Sequence, residues 1–177
     1  MSFKVNTVEY KCWPNELAVE DALNSLSLSI SKLTSSLQSF VHEDMQIPGR
    51  GLQQDIAKSL ERHFENTLLS DGIVSSSSRY SRELKEVADF TIGRSYSGKR
   101  VFFEIEFRPN VEKDLIKFQI GAKAETLVVG ILILPITREN INRHYTTMPE
   151  YRKFVHLIDQ LTPSHPLLLL GFDGVSE

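Results

Sequence analysis

Apolar side chains recur at Leu23, Leu26, Ile30, Leu33, Leu37 and Phe40, alternately three and four residues apart, which is the period of one face of an α-helix. The spacing predicts a long amphipathic helix over residues 14–41, after a short strand at 7–10. Its opposite face carries Ser25, Ser29 and Ser36, poor helix formers that either pack against another subunit or form a plain surface. Beyond a loop at 42–51 containing Pro48-Gly49-Arg50-Gly51, a second stripe of Leu52, Ile56, Leu60, Phe64 and Leu68 predicts a helix over residues 52–69. Glu61 and Glu65 flank that stripe and are read as solvated, and Asp71-Gly72 closes the segment.

The period then changes from helix to strand. Residues 87–92 and 101–107 are rich in β-branched and aromatic side chains, and Ser95-Tyr96-Ser97-Gly98 between them has turn chemistry, so the two runs predict a β-hairpin. With Tyr96-Ser97 as the loop, Asp89 lies opposite Glu104; with Ser97-Gly98 it lies opposite Glu106. Side chains alternate along a strand, so Phe102, Glu104, Glu106 and Arg108 share one face while Val101, Phe103, Ile105 and Phe107 share the core face. A helix over 112–123 and an apolar strand over 127–135, buried on both faces, complete a strand-helix-strand crossover. Pro149 opens a further helix with Tyr151, Phe154, Ile158 and Leu161 on one side, and 167–172 supplies a last strand. The sum is an α/β fold, a mixed central sheet flanked by helices, with no internal repeat.

Three carboxylates converging on one hairpin repel one another unless a partner compensates them. A hard divalent ion is such a partner, because Mg²⁺ takes oxygen ligands, commonly one or two carboxylates with phosphate and water. The alternative is a half-exposed hairpin whose acidic face is merely solvated.

At 177 residues the chain fits a single domain over 1–177, with an N-terminal helical part at 14–70 and a core at about 85–172. A formal net charge of −3 gives no general pull toward nucleic acid, so any DNA contact must come from a local basic surface. One cysteine, Cys12, excludes an intramolecular disulfide and a cysteine-based zinc site, and it is read as a small buried hydrophobe. His42, His63, His144, His156 and His165 show no metal-ligand spacing and no nucleophile partner. The first residues carry no apolar signal region and no run is long enough to span a bilayer, so a cytoplasmic protein without membrane association is expected.

The order helix, strand with Asp89, turn, strand with Glu104-Ile105-Glu106, helix, buried strand resembles the PD-(D/E)XK nuclease superfamily, and within it the BglII and BstYI type of type II restriction endonucleases. The resemblance rests on Ala88-Asp89-Phe90, on Val101-Phe102-Phe103-Glu104-Ile105-Glu106-Phe107, on Asp114-Leu115-Ile116-Lys117, on Val129-Gly130-Ile131-Leu132-Ile133-Leu134-Pro135 and on Pro166-Leu167-Leu168-Leu169-Leu170-Gly171. It implies a restriction-endonuclease-like core and a homodimeric Mg²⁺-dependent enzyme that cuts double-stranded DNA at a short palindrome, a GATC core being one candidate. It also implies a cognate DNA methyltransferase as genomic neighbour. The family's metal-binding aspartate maps onto Asp89 and its first glutamate onto Glu104. The third position, glutamine in these two enzymes and lysine in the wider superfamily, is Glu106 here, which is similar to the BamHI type at that point and leaves open whether Glu106 orients water, binds a second metal, or both.

Chemically these residues suit phosphodiester hydrolysis. Asp89 and Glu104 can hold the ion, the Ile105 carbonyl can lie toward it, and Glu106 is the candidate base or further ligand. Arg108 or Lys117 can bring positive charge to the phosphate. Arg94, Lys99, Arg100, Arg108, Lys113, Lys117 and Lys123 are candidate DNA-backbone contacts. The serine and arginine run at 75–82 either meets phosphates or is a linker, and 137–148 is either a recognition loop or a plain polar connection. Two further classes compete with an active endonuclease: an inactive or nonspecific DNA-binding protein of the same fold, and a structural protein whose hairpin acids are only surface charges.

Overall fold

The computed structural model describes residues 2–43, 52–69, 74–76, 90–93, 100–105, 112–123, 127–137 and 150–176. Seven strands among them form one mixed sheet. In chain order the elements are β1 (Phe3–Trp13), α1 (Glu16–Asn24), α2 (Ile30–Gln38), β2 (Val41–His42), α3 (Leu52–Leu69), β3 (Val74–Ser76), β4 (Phe90–Gly93), β5 (Arg100–Ile105), α4 (Glu112–Lys123), β6 (Leu127–Pro135), α5 (Tyr151–Leu161) and β7 (Leu167–Ser176). Across the sheet the strands run β2-β1-β7-β6-β5-β4-β3. Pairs β5–β6 and β6–β7 are parallel and the other four antiparallel.

Alternation along the central strands divides the core in two. Ile131 and Ile133 of β6, with Leu168 and Leu170 of β7 and Val101 and Ile105 of β5, pack under α1, α2 and α3. Leu132 and Leu134, with Leu167 and Leu169, face the other way and pack under α4 and α5 through Leu115, Phe118, Tyr151, Phe154 and Ile158. The result is helix, sheet, helix, with β6 and β7 covered on both faces, as a parallel crossover requires.

The α3, α4 and β6 spans coincide with the expected ones. The N-terminal helix does not. The apolar period continues from Leu23 to Phe40, but the chain breaks into α1 and α2 around Ser25–Ser29, where Ser27 has a left-handed φ of 62°. Serine is the cause. Ser29 caps α2 by accepting from the Lys32 N–H at 3.1 Å, and Glu20 accepts the Ile30 N–H at 3.0 Å, so side-chain oxygens take the place of intrahelical carbonyls at the start of α2. Leu26 and Leu28 are buried all the same, which is why the hydrophobic pattern does not register the break. Ser36 does not wait for another subunit: it is buried and shares a 2.7 Å hydrogen bond with Thr67 of α3.

Strand β1 is also longer than expected. It pairs antiparallel with nearly the whole of β7, from Phe3↔Ser176 to Trp13↔Leu167, and its outward Lys4, Glu9 and Lys11 hide the strand pattern because only the two-residue β2 adjoins its other edge. At the far end of α5, Leu161 is 56% exposed and lies off the expected buried side, where the left-handed Thr162 stops the helix. Among the described residues no helix is long and apolar enough to cross a membrane.

Two packing details make predictions. A Cβ built on Gly130 of β6 would come within 2.6 Å of the Phe118 ring, so α4 rests directly on the β6 backbone. Gly130→Ala is expected to cost about 1–3 kcal/mol by overpacking, read as a lower urea midpoint at unchanged slope; an unchanged midpoint would show that α4 is not seated so closely.

His165, in the turn before β7, is buried edge-on to Phe118, and neither ring nitrogen meets a hydrogen-bond partner among the described residues. Burial holds its pKa below the usual 6.5. The folded protein therefore keeps the ring neutral while the unfolded chain takes up a proton, so stability is lost as pH falls below 6.5 toward the folded value. His165→Leu should be more stable than wild type by about 1 kcal/mol at neutral pH, since an unpaired buried polar group is removed. The gap should widen between about pH 7.5 and about pH 5.5 in urea titrations; parallel pH profiles for the two proteins would contradict this.

Candidate active site

Strand β5 carries the site, and side-chain alternation determines which way each residue faces. Val101 and Ile105 point into the core beneath α1–α3, so Glu104 points to the opposite face, where α4 crosses. There it is 3% exposed. A solvated acidic face is thereby excluded for this glutamate. The Ile105 side chain belongs to the core, which leaves only its backbone carbonyl for any ligand.

Helix α4 supplies the partners. Asp114 and Lys117 stand one turn apart on the side that also presents Leu115 and Phe118 to the sheet, and Asp114 is 2% exposed. Lys117 Nζ donates to Glu104 Oε1 at 3.0 Å and lies 3.1 Å from Asp114 Oδ1. Burial works against the lysine charge, but the carboxylates of Glu104 and then Asp114, through charge and hydrogen bonding, outweigh it and hold its pKa above the ordinary lysine range. Lys117 is therefore an ammonium at neutral pH, and its side chain keeps 22% exposure.

Of the residues expected from sequence, Glu104 and Lys117 are brought together. Lys113 sits exposed in the first turn of α4, and Lys123 is exposed at its end. Arg100 begins β5. Asp89, Arg94, Lys99, Glu106 and Arg108 lie outside the described residues, as does most of 75–82 and of 137–148. The described β4–β5 pairs are Phe90↔Phe103, Thr91↔Phe102 and Ile92↔Val101, the register expected with Tyr96-Ser97 at the turn rather than Ser97-Gly98.

Asp114 was not among the expected site residues. Its signal is legible in retrospect: an acid placed i, i+3 before a lysine, on the apolar side of a helix beside Leu115 and Phe118, has no water to face and must be paired.

Among the described residues no three His, Cys, Asp or Glu side chains gather as a metal site. The donors that are present suit a hard cation in kind, since the carboxyl oxygens of Glu104 and Asp114 are hard ligands. Cys12 is not a reactive thiol, because burial, and after it Glu16 and Glu20, push its pKa up to about 12.

The family model of the restriction endonucleases BglII and BglIII matches residues 14–172. The chain belongs to this family. Membership implies DNA cleavage, and restriction endonucleases generally use a divalent metal. No curated protein matches the chain. Among solved structures it is similar to a crystal structure of restriction endonuclease BglII complexed with a DNA 16-mer, at 13% identity and a TM-score of 0.55, over 95% of this chain and 78% of that one. A crystal structure of free BglII matches at 12% identity and a TM-score of 0.46, over 97% and 80% of the two chains. At this identity the likeness is one of fold, and it agrees with the restriction-endonuclease-like mixed α/β core expected from the hairpin, α4 and β6.

Proposed function

We propose that the protein is a Mg²⁺-dependent type II restriction endonuclease, a single domain acting as a homodimer, that hydrolyses phosphodiester bonds of double-stranded DNA at a short palindrome, with a GATC core as the first sequence to try. The observation that carries this reading is the burial of Glu104 on the α4 side of β5, ion-paired to Lys117, in a chain of the BglII/BglIII family. A buried carboxylate held by a lysine whose side chain reaches solvent is poised to meet a cation and a phosphate together.

Glu104, with Asp89, the Ile105 carbonyl and Glu106, would hold the ion. Extending the β4–β5 register by one residue would set Asp89 against Glu104, which supports that set. Held there, the ion would polarise the scissile phosphate and lower the pKa of water. Glu106 accepts the proton of the attacking water, which requires hydrogen-bond reach of roughly 2.6–3.2 Å. Lys117 presents positive charge to the phosphoryl oxygens, the part that a lysine in the third position plays elsewhere in the superfamily. Arg94, Lys99, Arg108 and Lys113 contact the DNA backbone. A dimer follows from the substrate, since a palindrome offers two equivalent half-sites to a two-fold axis. We further propose a cytoplasmic location and a neighbouring methyltransferase gene that protects host DNA.

Plasmid DNA incubated with the protein and Mg²⁺ should give discrete fragments, and chelation should stop the reaction. Smearing would point to a nonspecific nuclease, and binding without cutting to an inactive module of the fold. Light scattering of the protein, free and with cognate duplex, should give a dimer; a strict monomer in both would remove the two-fold model.

A further inference from the structure

Two buried acids share one ammonium in this site. We infer that Lys117 is the resident counter-ion of Glu104, which a divalent cation must displace from that carboxylate, and that Asp114 is the second anchor that keeps the ammonium at hand. The inference rests on Glu104 being a metal ligand, as proposed above.

A carboxylate as deeply buried as Glu104 is costly unless a positive charge compensates it, so the metal-free protein needs an internal cation. Lysine suits the part, being a compact charge on a flexible stem. The α4 backbone is fixed by Phe118 against Gly130, while the partly exposed side chain leaves the head group room to swing. Its 3.0 Å bond to Glu104 Oε1 occupies the charge that a metal would use. Two cations in contact with one carboxylate repel each other, so ammonium and metal compete. Asp114, 3.1 Å from the same nitrogen, gives the displaced ammonium somewhere to stay without leaving the site.

Mn²⁺ binding to the DNA-free protein, followed by electron paramagnetic resonance, tests this without reference to turnover. Lys117→Met should bind Mn²⁺ at least about tenfold more tightly than wild type, because the competitor is gone. Lys153→Met, which removes an exposed charge from α5, should shift affinity by less than about twofold, since exposed charges are screened. Where Lys117→Met is too unstable to study, Asp114→Asn/Lys117→Met set against Asp114→Asn makes the same comparison with one buried acid fewer. Equal or weaker binding on loss of Lys117, or an equal gain from Lys153→Met, would overturn the inference. In that case a wild-type site that disappears in Glu104→Gln would leave the metal reading of Glu104 standing. No saturable Mn²⁺ binding in wild type or in either lysine variant would instead overturn the metal reading and the inference with it.

Discussion

Glu104→Gln is expected to lower the rate of DNA cleavage by about a thousandfold or more, because in the proposed role of metal ligand its carboxylate would contribute several kcal/mol of charge stabilisation in the transition state. The amide keeps the size of the side chain and can still accept from Lys117, so the fold should survive. Stability should change by only about 1 kcal/mol: an ion pair becomes a hydrogen bond from the ammonium to a neutral amide oxygen, while repulsion between the buried acids is relieved. The pair of measurements matters more than either alone. Lost cleavage with a retained melting temperature assigns Glu104 to chemistry, whereas equal losses of both would reduce it to a structural acid.

Lys117→Met should behave in the opposite way, with its largest effect on folding. Removing the ammonium takes from the buried Glu104 and Asp114 the ion pair they share, and breaking a buried pair in this manner costs about 3–5 kcal/mol. For a chain of this length that is a fall of roughly 10 °C in melting temperature. The sign of the pH dependence follows from the raised pKa of Lys117. Its contribution is complete below 10.5, the ordinary lysine value, and is lost only as pH climbs through the higher folded-state value. The deficit of the variant should therefore be present in full at neutral pH. Asp114→Asn introduced alongside should recover part of it, because one of the two opposed charges is gone. A melting temperature within a degree or two of wild type for Lys117→Met would mean that the trio is open to water rather than buried.

What the sequence made legible follows from which physical signals it encodes. The stripe Ile56, Leu60, Phe64 and Leu68 and the unbroken run of β6 are periodic burial patterns, and both elements stand where the pattern puts them. Alternation in β5 likewise sends Val101 and Ile105 one way and Glu104 the other. The break between α1 and α2 escaped because burial of Leu26 and Leu28 continues through a turn that Ser29 and Glu20 make with backbone bonds. The length of β1 escaped because its pairing with β7 is a long-range fact, visible only once the far end of the chain lies beside it. The site was half legible. Glu104 stood out as a carboxylate in a strand, but its burial depends on a helix eight residues further on, and Asp114 looks like an ordinary first-turn acid until α4 is laid against the sheet. In the sequence Lys117 reads only as a charge for phosphate; its pairing with Glu104 comes from the crossover geometry.

The most direct test of the account is anomalous diffraction at the manganese edge from crystals of the protein bound to duplex DNA and Mn²⁺. The account predicts a peak within inner-sphere distance of a Glu104 carboxylate oxygen, beside a backbone phosphate, with Lys117 Nζ drawn away from Oε1. A peak elsewhere, or none, with Lys117 still paired to Glu104 in the presence of DNA, would contradict it.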